Sequence, residues 1–365
     1  MIEPGDLKAL QVFDGMAPTE IWHMLRRKAE GTERWSSRLA EADPKGDLER
    51  AAAVGARFVI PGDEEWPEQI DVLAEAGQLS RRAGVPFGLW VRGPLNLRTA
   101  LDQSVAMVGS RASSSYGEHV ASELSSGLAD NGFVVVSGGA YGIDAAAHRG
   151  ALASSGATIA VLASGVDKFY PRRNAALLSL IAERGLVVSE LPPGFPPTKL
   201  RFLARNRLIA AATRGVVVIE AAVRSGALNS AGWAEQCGRA VLAVPGPITS
   251  RMSEGTHLLV RERGAVLVTN VAEIIEAISP LGTHLAPRPA TPTTPYDQLD
   301  HDLRRTLDAV PVQRPAATER IAIDAGLDLP TTHECLQHLA DLRMVEFDET
   351  GWRLPPGTTD PDHRP

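Results

Sequence analysis

The chain has 365 residues, 44% of them apolar and 5% aromatic, and a net charge of -7. That size predicts two or three domains, each with its own core. Only two cysteines occur, Cys237 and Cys335, which excludes a disulfide framework and a Cys-rich zinc site. The first residues, MIEPGDLKAL, lack a basic-then-apolar signal pattern, and no run of about 18 apolar residues could span a bilayer. A soluble cytoplasmic protein is expected.

Residues 1–60 read as short helices, with apolar spacing in Leu7, Leu10, Val12 and Phe13, and again in Ile21, Trp22 and Leu25. A small helical module over residues 1–66, of the SAM or helix–hairpin–helix kind, is expected there, with nothing that suggests catalysis. From about residue 104, short apolar runs alternate with helical patterns. The runs are Val105–Val108, Phe133–Val136, Thr158–Leu162, Leu186–Val188, Val216–Ile219, Ala240–Val244 and Ala265–Val268. Each is aliphatic without polar alternation, as strands buried on both faces are. Helical patterns such as Tyr116–Asp130, Ile143–Ala153 and Asn270–Ile278 separate them. Repeated βα units predict an α/β fold, a Rossmann-like doubly wound parallel sheet over residues 67–282.

Residues 283–298 are Pro-rich and read as a linker. Beyond it, residues 299–355 show three helical patterns, at about Leu299–Val310, Ala317–Ala325 and Thr331–Leu342, then two strand-like runs, Val345–Phe347 and Trp352–Leu354. That is a winged-helix pattern. The tail 356–365 reads as disordered.

Charge is uneven along this plan. Residues 1–70 carry net -5, residues 71–285 net +4, and residues 299–354 net -5. A polyanion should meet the middle, unless the regional drift is fortuitous. The sharpest feature is KLRFLARNRLIAAATR at 199–214. It holds Lys199, Arg201, Arg205, Arg207 and Arg214 with Phe202 among them, and no acid stands between Glu190 and Glu220. Cations around an aromatic suit single-stranded nucleic acid, whose backbone is charged and whose bases stack. On a helix, Arg201, Arg205, Phe202 and Asn206 share one arc, while Arg207 and Arg214 fall elsewhere. Arg207 therefore has a second reading, as the partner of a buried carboxylate or of strand-end carbonyls. Phe202 has one as a core aromatic. The presumptive recognition helix Thr331–Leu342 contains Glu334 and Asp341 and no Lys or Arg, so it should repel phosphate and serve protein contact or packing.

Ligands of open parallel sheets bind beyond the carboxyl ends of the strands. Here strands run into Gly109-Ser110-Arg111, Ser137-Gly138-Gly139 and Ser164-Gly165, loops whose N–H groups suit phosphate or simply make tight turns. Arg111 sharpens the first, since a guanidinium can fork onto a phosphate. No GxGxxG or GxxxxGK[ST] occurs, so no dinucleotide or triphosphate cofactor is indicated. Asp144 and His148 lie one helical turn apart, as an oriented general base or as a cap beside a packed histidine. The remaining histidines form no metal-ligand pattern.

Taken together, the motifs resemble the DNA-processing protein A family, also called Smf. They are MVGSRASSSYG at 107–117, SGGAYGIDAAAHRGAL at 137–152, GVDKFYPRRN at 165–174, SELPPG at 189–194, FLARNRLIAA at 202–211, EAAVRSGAL at 220–228, GRAVLAVPG at 238–246 and GTHLLV at 255–260. The resemblance implies a Rossmann-like core that binds single-stranded DNA, not a dinucleotide. It further implies a role in natural transformation (competence), transfer of incoming strands to the RecA recombinase, no enzymatic activity, and a homodimer formed through this core. Carried over by position, it implies DNA-binding roles for Ser110, Arg111, Gly138, Gly139, Lys168, Lys199, Phe202, Arg205, Asn206, Arg207, Ser225 and Gly226. Tyr141 and His257 depart from the family's usual residues. The alternative is an enzyme: nucleotide phosphoribohydrolases of the lysine-decarboxylase-like group share the fold. Their PGGxGTxxE loop is absent here, where SGALNSAGWAE stands at 225–235, but Asp144, Glu190 and Glu220 are candidate carboxylates.

Overall fold

The computed structural model describes residues 2–13, 15–39, 42–287 and 294–355. Residues 288–293 of the expected linker and the expected disordered tail 356–365 lie outside the described residues. The chain forms two compact units, 1–287 and 288–365.

The first unit opens with four helices, α1 (Leu7–Val12), α2 (Pro18–Arg26), α3 (Glu33–Leu39) and α4 (Pro44–Ala53). The apolar faces of α1 to α3 meet in a small core of Ala9, Phe13, Ile21, Leu25 and Trp35, while Ala51 of α4 packs in the cluster with Trp90 and Leu178. Then come β1 (Ala56–Val59), β2 (Leu89–Arg92), α5 (Leu97–Asp102), β3 (Ser104–Val108), α6 (Ser115–Asp130), β4 (Val134–Ser137), α7 (Ile143–Ala153) and β5 (Thr158–Leu162). The unit continues with α8 (Ala175–Arg184), β6 (Leu186–Ser189), α9 (Lys199–Ala211), β7 (Gly215–Val218), α10 (Gly226–Gln236), β8 (Ala240–Ala243), α11 (Glu254–Arg263), β9 (Val266–Leu267) and α12 (Val271–Ile278).

The nine strands form one sheet in the order β1-β2-β6-β5-β4-β3-β7-β8-β9. From β6 to β9 every pairing is parallel, as the aliphatic runs predict. The strand period of two divides the side chains between two cores. Ala106, Val108, Val216 and Val218 face Leu208, Ile209 and Trp233 on one side. Val105, Met107, Val217 and Ile219 face Leu124, Leu128 and Ile274 on the other.

One edge differs from the all-parallel expectation. β1 pairs antiparallel with β2, and β2 antiparallel with β6. β1 was expected to fall in a helical stretch, but its short ARFV run lies against Leu89–Arg92 and extends the sheet. Chain order reverses between β3 and β7, which are neighbours although three strands and four α-helices separate them in sequence. The loops after β3 and β7 therefore diverge and open a crevice.

The second unit, by itself, has three helices, α13 (His301–Ala309), α14 (Thr318–Ala325) and α15 (Leu329–Asp341), and a hairpin of β10 (Glu346–Asp348) with β11 (Gly351–Arg353). Leu303, Ile321, Leu336, Leu339 and Trp352 form its core.

Candidate nucleic-acid interface

A cleft of about 840 Å³ opens where β3, β4 and β7 end. The loop after β3 makes one wall. The Ser110 N–H donates to the Glu220 carbonyl (2.7 Å), its Oγ donates to Met252 Sδ (3.3 Å), and its carbonyl accepts from the Ile143 N–H (3.2 Å). Those bonds fix the loop and leave Arg111 exposed at the mouth. The N-terminal half of α9 makes the facing wall. Thr198 caps that helix, accepting from the Arg201 N–H at 3.4 Å, and Lys199 stands exposed in its first turn.

Phe202 is the centre of the site. The Arg111 guanidinium lies 4.6 Å from its ring centroid and that of Arg205 6.0 Å. The Tyr170 ring is tilted against it at 5.9 Å. A half-buried aromatic between two guanidiniums offers a base a stacking face with cations for the adjoining phosphates.

Arg205 is buried at the floor. Its Nη1 donates to the Val161 carbonyl (2.9 Å), while Nε has no partner among the described residues. Burial, and secondarily Arg111, push its pKa down to about 10, with Asp144 opposing, so it stays cationic at neutral pH. Burial pushes the Asp144 carboxyl up, against the nearby Arg205; Asp144 also accepts from the Ala140 N–H (3.3 Å). It is the only carboxylate lining the cleft among the described residues.

Asn206 donates to Asn229 Oδ1 (3.1 Å), joining α9 to α10. Ser225 caps α10 and accepts from the Ala227 N–H (3.2 Å), so the positive end of that helix dipole borders the cleft beside Gly226. Ser110, Arg111, Lys199, Phe202, Arg205, Asn206, Ser225 and Gly226 thus come together.

The other four expected residues stand elsewhere. Arg207 is fully buried, and its guanidinium forks onto Glu190 at 2.7 and 2.8 Å while Nε donates to the Gly84 carbonyl (3.0 Å). Placing it in the groove is therefore corrected: its donors are committed inside the fold. Gly138 and Gly139 do not line the cleft. A Cβ on Gly138 would lie 1.6 Å from Arg205 Nη1, so that glycine makes room for Arg205 beneath the surface, while Gly139 has φ +67 and packs against Leu178. Lys168 is exposed on the loop after β5, outside the cleft lining. Arg201, on the predicted arc, is likewise buried and clasped by Glu3 at 3.0 and 2.8 Å. Arg214 points its Nε to the Asp102 carbonyl (2.8 Å), away from the cleft.

Sequence reasoning passed over Tyr170, Arg224 and Asn229, which all line the cleft. A signal existed for Tyr170, an aromatic beside Lys168 and Arg172 in a loop following a predicted strand. His148 turns from the cleft: its Nδ1 meets Thr158 Oγ1 at 2.7 Å, and burial drops its pKa to about 3. It is a neutral packed histidine, while Asp144, one turn earlier, borders the cleft. His257 Nε2 lies 3.1 Å from the Gly246 carbonyl, and neither it nor the half-exposed Tyr141 lines the cleft. Among the described residues no cluster of His, Cys, Asp or Glu could hold a metal, and no helix is long and apolar enough to cross a membrane.

A cationic, aromatic cleft at the switch point of a Rossmann-like sheet defines a nucleic-acid-binding class of protein, and comparison with known proteins agrees. The profile of the DNA recombination-mediator protein A family matches residues 57–279. A Mycobacterium tuberculosis protein described as a DNA processing protein, DprA, is 43% identical over 360 residues, 96% of this chain and 91% of that one. The Streptococcus pneumoniae DNA processing protein DprA is 45% identical over 54% of this chain and 68% of its own length. The X-ray structure of DprA from S. pneumoniae superposes with a TM-score of 0.60 at 33% identity, covering 74% of this chain and 90% of that one. A Helicobacter pylori DprA structure, described for its single-stranded DNA binding mode, gives 0.52 at 30% identity over 60% and 94%. The chain belongs to the DNA recombination-mediator protein A family.

Proposed function

We propose that this protein binds single-stranded DNA in the cleft between the loop after β3 and α9, and acts as a non-enzymatic mediator that passes the strand to RecA during natural transformation and recombination. The observation that carries the reading is Phe202, held between Arg111 and Arg205 and beside Tyr170. Its ring takes a base; Arg111, Lys199 and the N-terminus of α10 at Ser225 and Gly226 take the flanking phosphates. Arg205 supports the ring from below, and Asn206 fixes α9 to α10. Lys168 extends the path beyond the cleft. The family's DNA-processing role, and the single-stranded DNA described for the H. pylori relative, support the same reading.

The enzyme alternative loses support at two of its three candidate carboxylates. Glu190 is neutralised by Arg207, and Glu220 accepts from the Ser114 N–H (2.9 Å) and hydroxyl while it holds the loop before α6. Neither is available to a substrate. Homodimerisation through the sheet-bearing unit, a winged-helix role for the second unit, and a cytoplasmic location belong to this proposal on family grounds.

The deciding experiment is a titration of oligo-dT with wild type and Lys199→Ala at two salt concentrations. Wild-type affinity should fall steeply with salt, and the variant should bind more weakly with a slope smaller by about 0.7. Identical curves for the two proteins would remove the site from the cleft. Hand-over to RecA is read from RecA strand exchange on strands coated with single-strand-binding protein, which the wild type should stimulate.

A further inference from the structure

Behind α9, away from the cleft, residues 3–6 and 80–84 run side by side. Arg82 Nη1 donates to the Pro4 carbonyl (3.0 Å), the Ala83 N–H donates to the Gly5 carbonyl (3.4 Å), and Asp6 and Arg82 form an antiparallel bridge. This brace reaches α9 at three points. Glu3 forks onto Arg201, with 3.0 Å to Nε and 2.8 Å to Nη2. The Gly84 carbonyl accepts from Arg207 Nε (3.0 Å). Ser80 Oγ accepts from Asn229 Nδ2 (3.0 Å), and Asn229 Oδ1 accepts from Asn206.

The Glu3 contact bears on the site most directly, because Arg201 lies between Lys199 and Phe202 in the first turn of α9. A helical first turn leaves its N–H groups without intrahelical partners, so outside contacts hold it. The Thr198 cap contributes only a long 3.4 Å bond. The Arg201 side chain is nine-tenths buried, donates also to the Pro196 carbonyl (2.7 Å), and lies 5.4 Å from the Phe195 ring. Its one short carboxylate contact is Glu3. The Arg201 hydrogen bond, against the opposing effect of burial, keeps the Glu3 carboxyl below the usual range, so the clasp persists at neutral pH.

We propose that Glu3 is a positioning residue for the nucleic-acid site, acting through Arg201 to hold the first turn of α9 so that Lys199 and Phe202 face the cleft. The proposal rests on the single-stranded DNA reading above. It makes a prediction of unusual sign. Removing a negative charge near a polyanion site should strengthen binding by simple electrostatics. Removing a positioning carboxylate should weaken it.

The test measures affinity for oligo-dT of about 15 nucleotides with Glu3→Gln, Arg201→Gln, the double variant and Lys199→Ala. Each of the first two should lose about tenfold, and the double should lose no more than either alone, because both break one clasp. Glu3→Gln binding as tightly as wild type, or more tightly, would overturn the proposal, as would losses that add in the double variant. If Lys199→Ala is impaired while Glu3→Gln is not, positioning falls and the cleft reading stands; if neither is impaired, the cleft reading falls too. Amide hydrogen exchange, without DNA, keeps the question decidable if Glu3→Gln is unstable. Faster exchange confined to residues 199–206 supports positioning, and uniform loss of protection through the sheet overturns it.

Discussion

Two helices of this chain stand where a DNA-binding helix would be sought, and they differ in charge. α9 carries four cations in 13 residues and no acid. α15, the third helix of the second unit, carries Glu334 and Asp341 and neither Lys nor Arg. Of the two, only α9 has the electrostatics to hold a phosphate chain. Within α9 a second division matters as much. Lys199, Phe202 and Arg205 border the cleft, while Arg201 and Arg207 are buried and clasped by Glu3 and Glu190. A cluster of like charge on one helix therefore divides in two: part faces the cleft, and part ties the helix to the fold.

Four measurements can break or sharpen these divisions. The largest effect is expected at Arg207. Arg207→Ala leaves Glu190 without its partner inside the fold and should destabilise unit 1 by about 3–5 kcal/mol in urea unfolding. A loss of DNA affinity at unchanged stability would move Arg207 back to the cleft face. Phe202→Ala should lose about 1–3 kcal/mol of oligo-dT binding with an unchanged salt slope, because it removes stacking and no charge. A flatter slope would mean that the ring acts through Arg111.

Asp144 and His148, one turn apart on α7, offer a comparable contrast between cleft and core. With the folded-state pKa of His148 at about 3 and its ordinary value at 6.5, the unfolded chain binds the extra proton between those limits. Stability is then complete above pH 6.5 and falls as pH drops toward 3. By pH 4.5 the loss from this residue should approach about 2–3 kcal/mol, and His148→Gln should remove that part of the pH dependence. An unchanged acid profile would mean that the imidazole is not held neutral. The smallest effect concerns the second unit: deleting residues 288–365 should change oligo-dT affinity less than about twofold, given the acidic α15. A large loss would place a DNA contact on that unit.

Much of the fold was legible because buried parallel strands must be continuous aliphatic runs, and seven of them appear between Val105 and Val268. The edge strands β1 and β2 were not, since ARFV and LWVR are four residues long and carry no period that separates a strand from a helix end. Eight of the twelve expected site residues line the cleft, and their motifs were readable as strand-end loops and a basic helix. Gly138 and Gly139 read as phosphate-binding glycines, but a glycine beside a site can equally admit a side chain, as Gly138 admits Arg205, or a left-handed turn, as at Gly139, and the motif is the same. Tyr170 had a signal in its basic neighbours, but its place at the cleft follows only from β5 and β4 being neighbours.

The amino-acid sequence by itself determined the α/β alternation, the family, and the interval from Glu190 to Glu220 in which only positive charge occurs. Each follows from residue type and order along the chain, which need no partner to be read. The tertiary structure alone decided which of those cations are free. It brings Glu190 onto Arg207, turns Glu220 to Ser114, and carries Glu3 from nearly two hundred residues away onto Arg201. Charge is a property of a residue, but its availability is a property of what the fold has placed beside it.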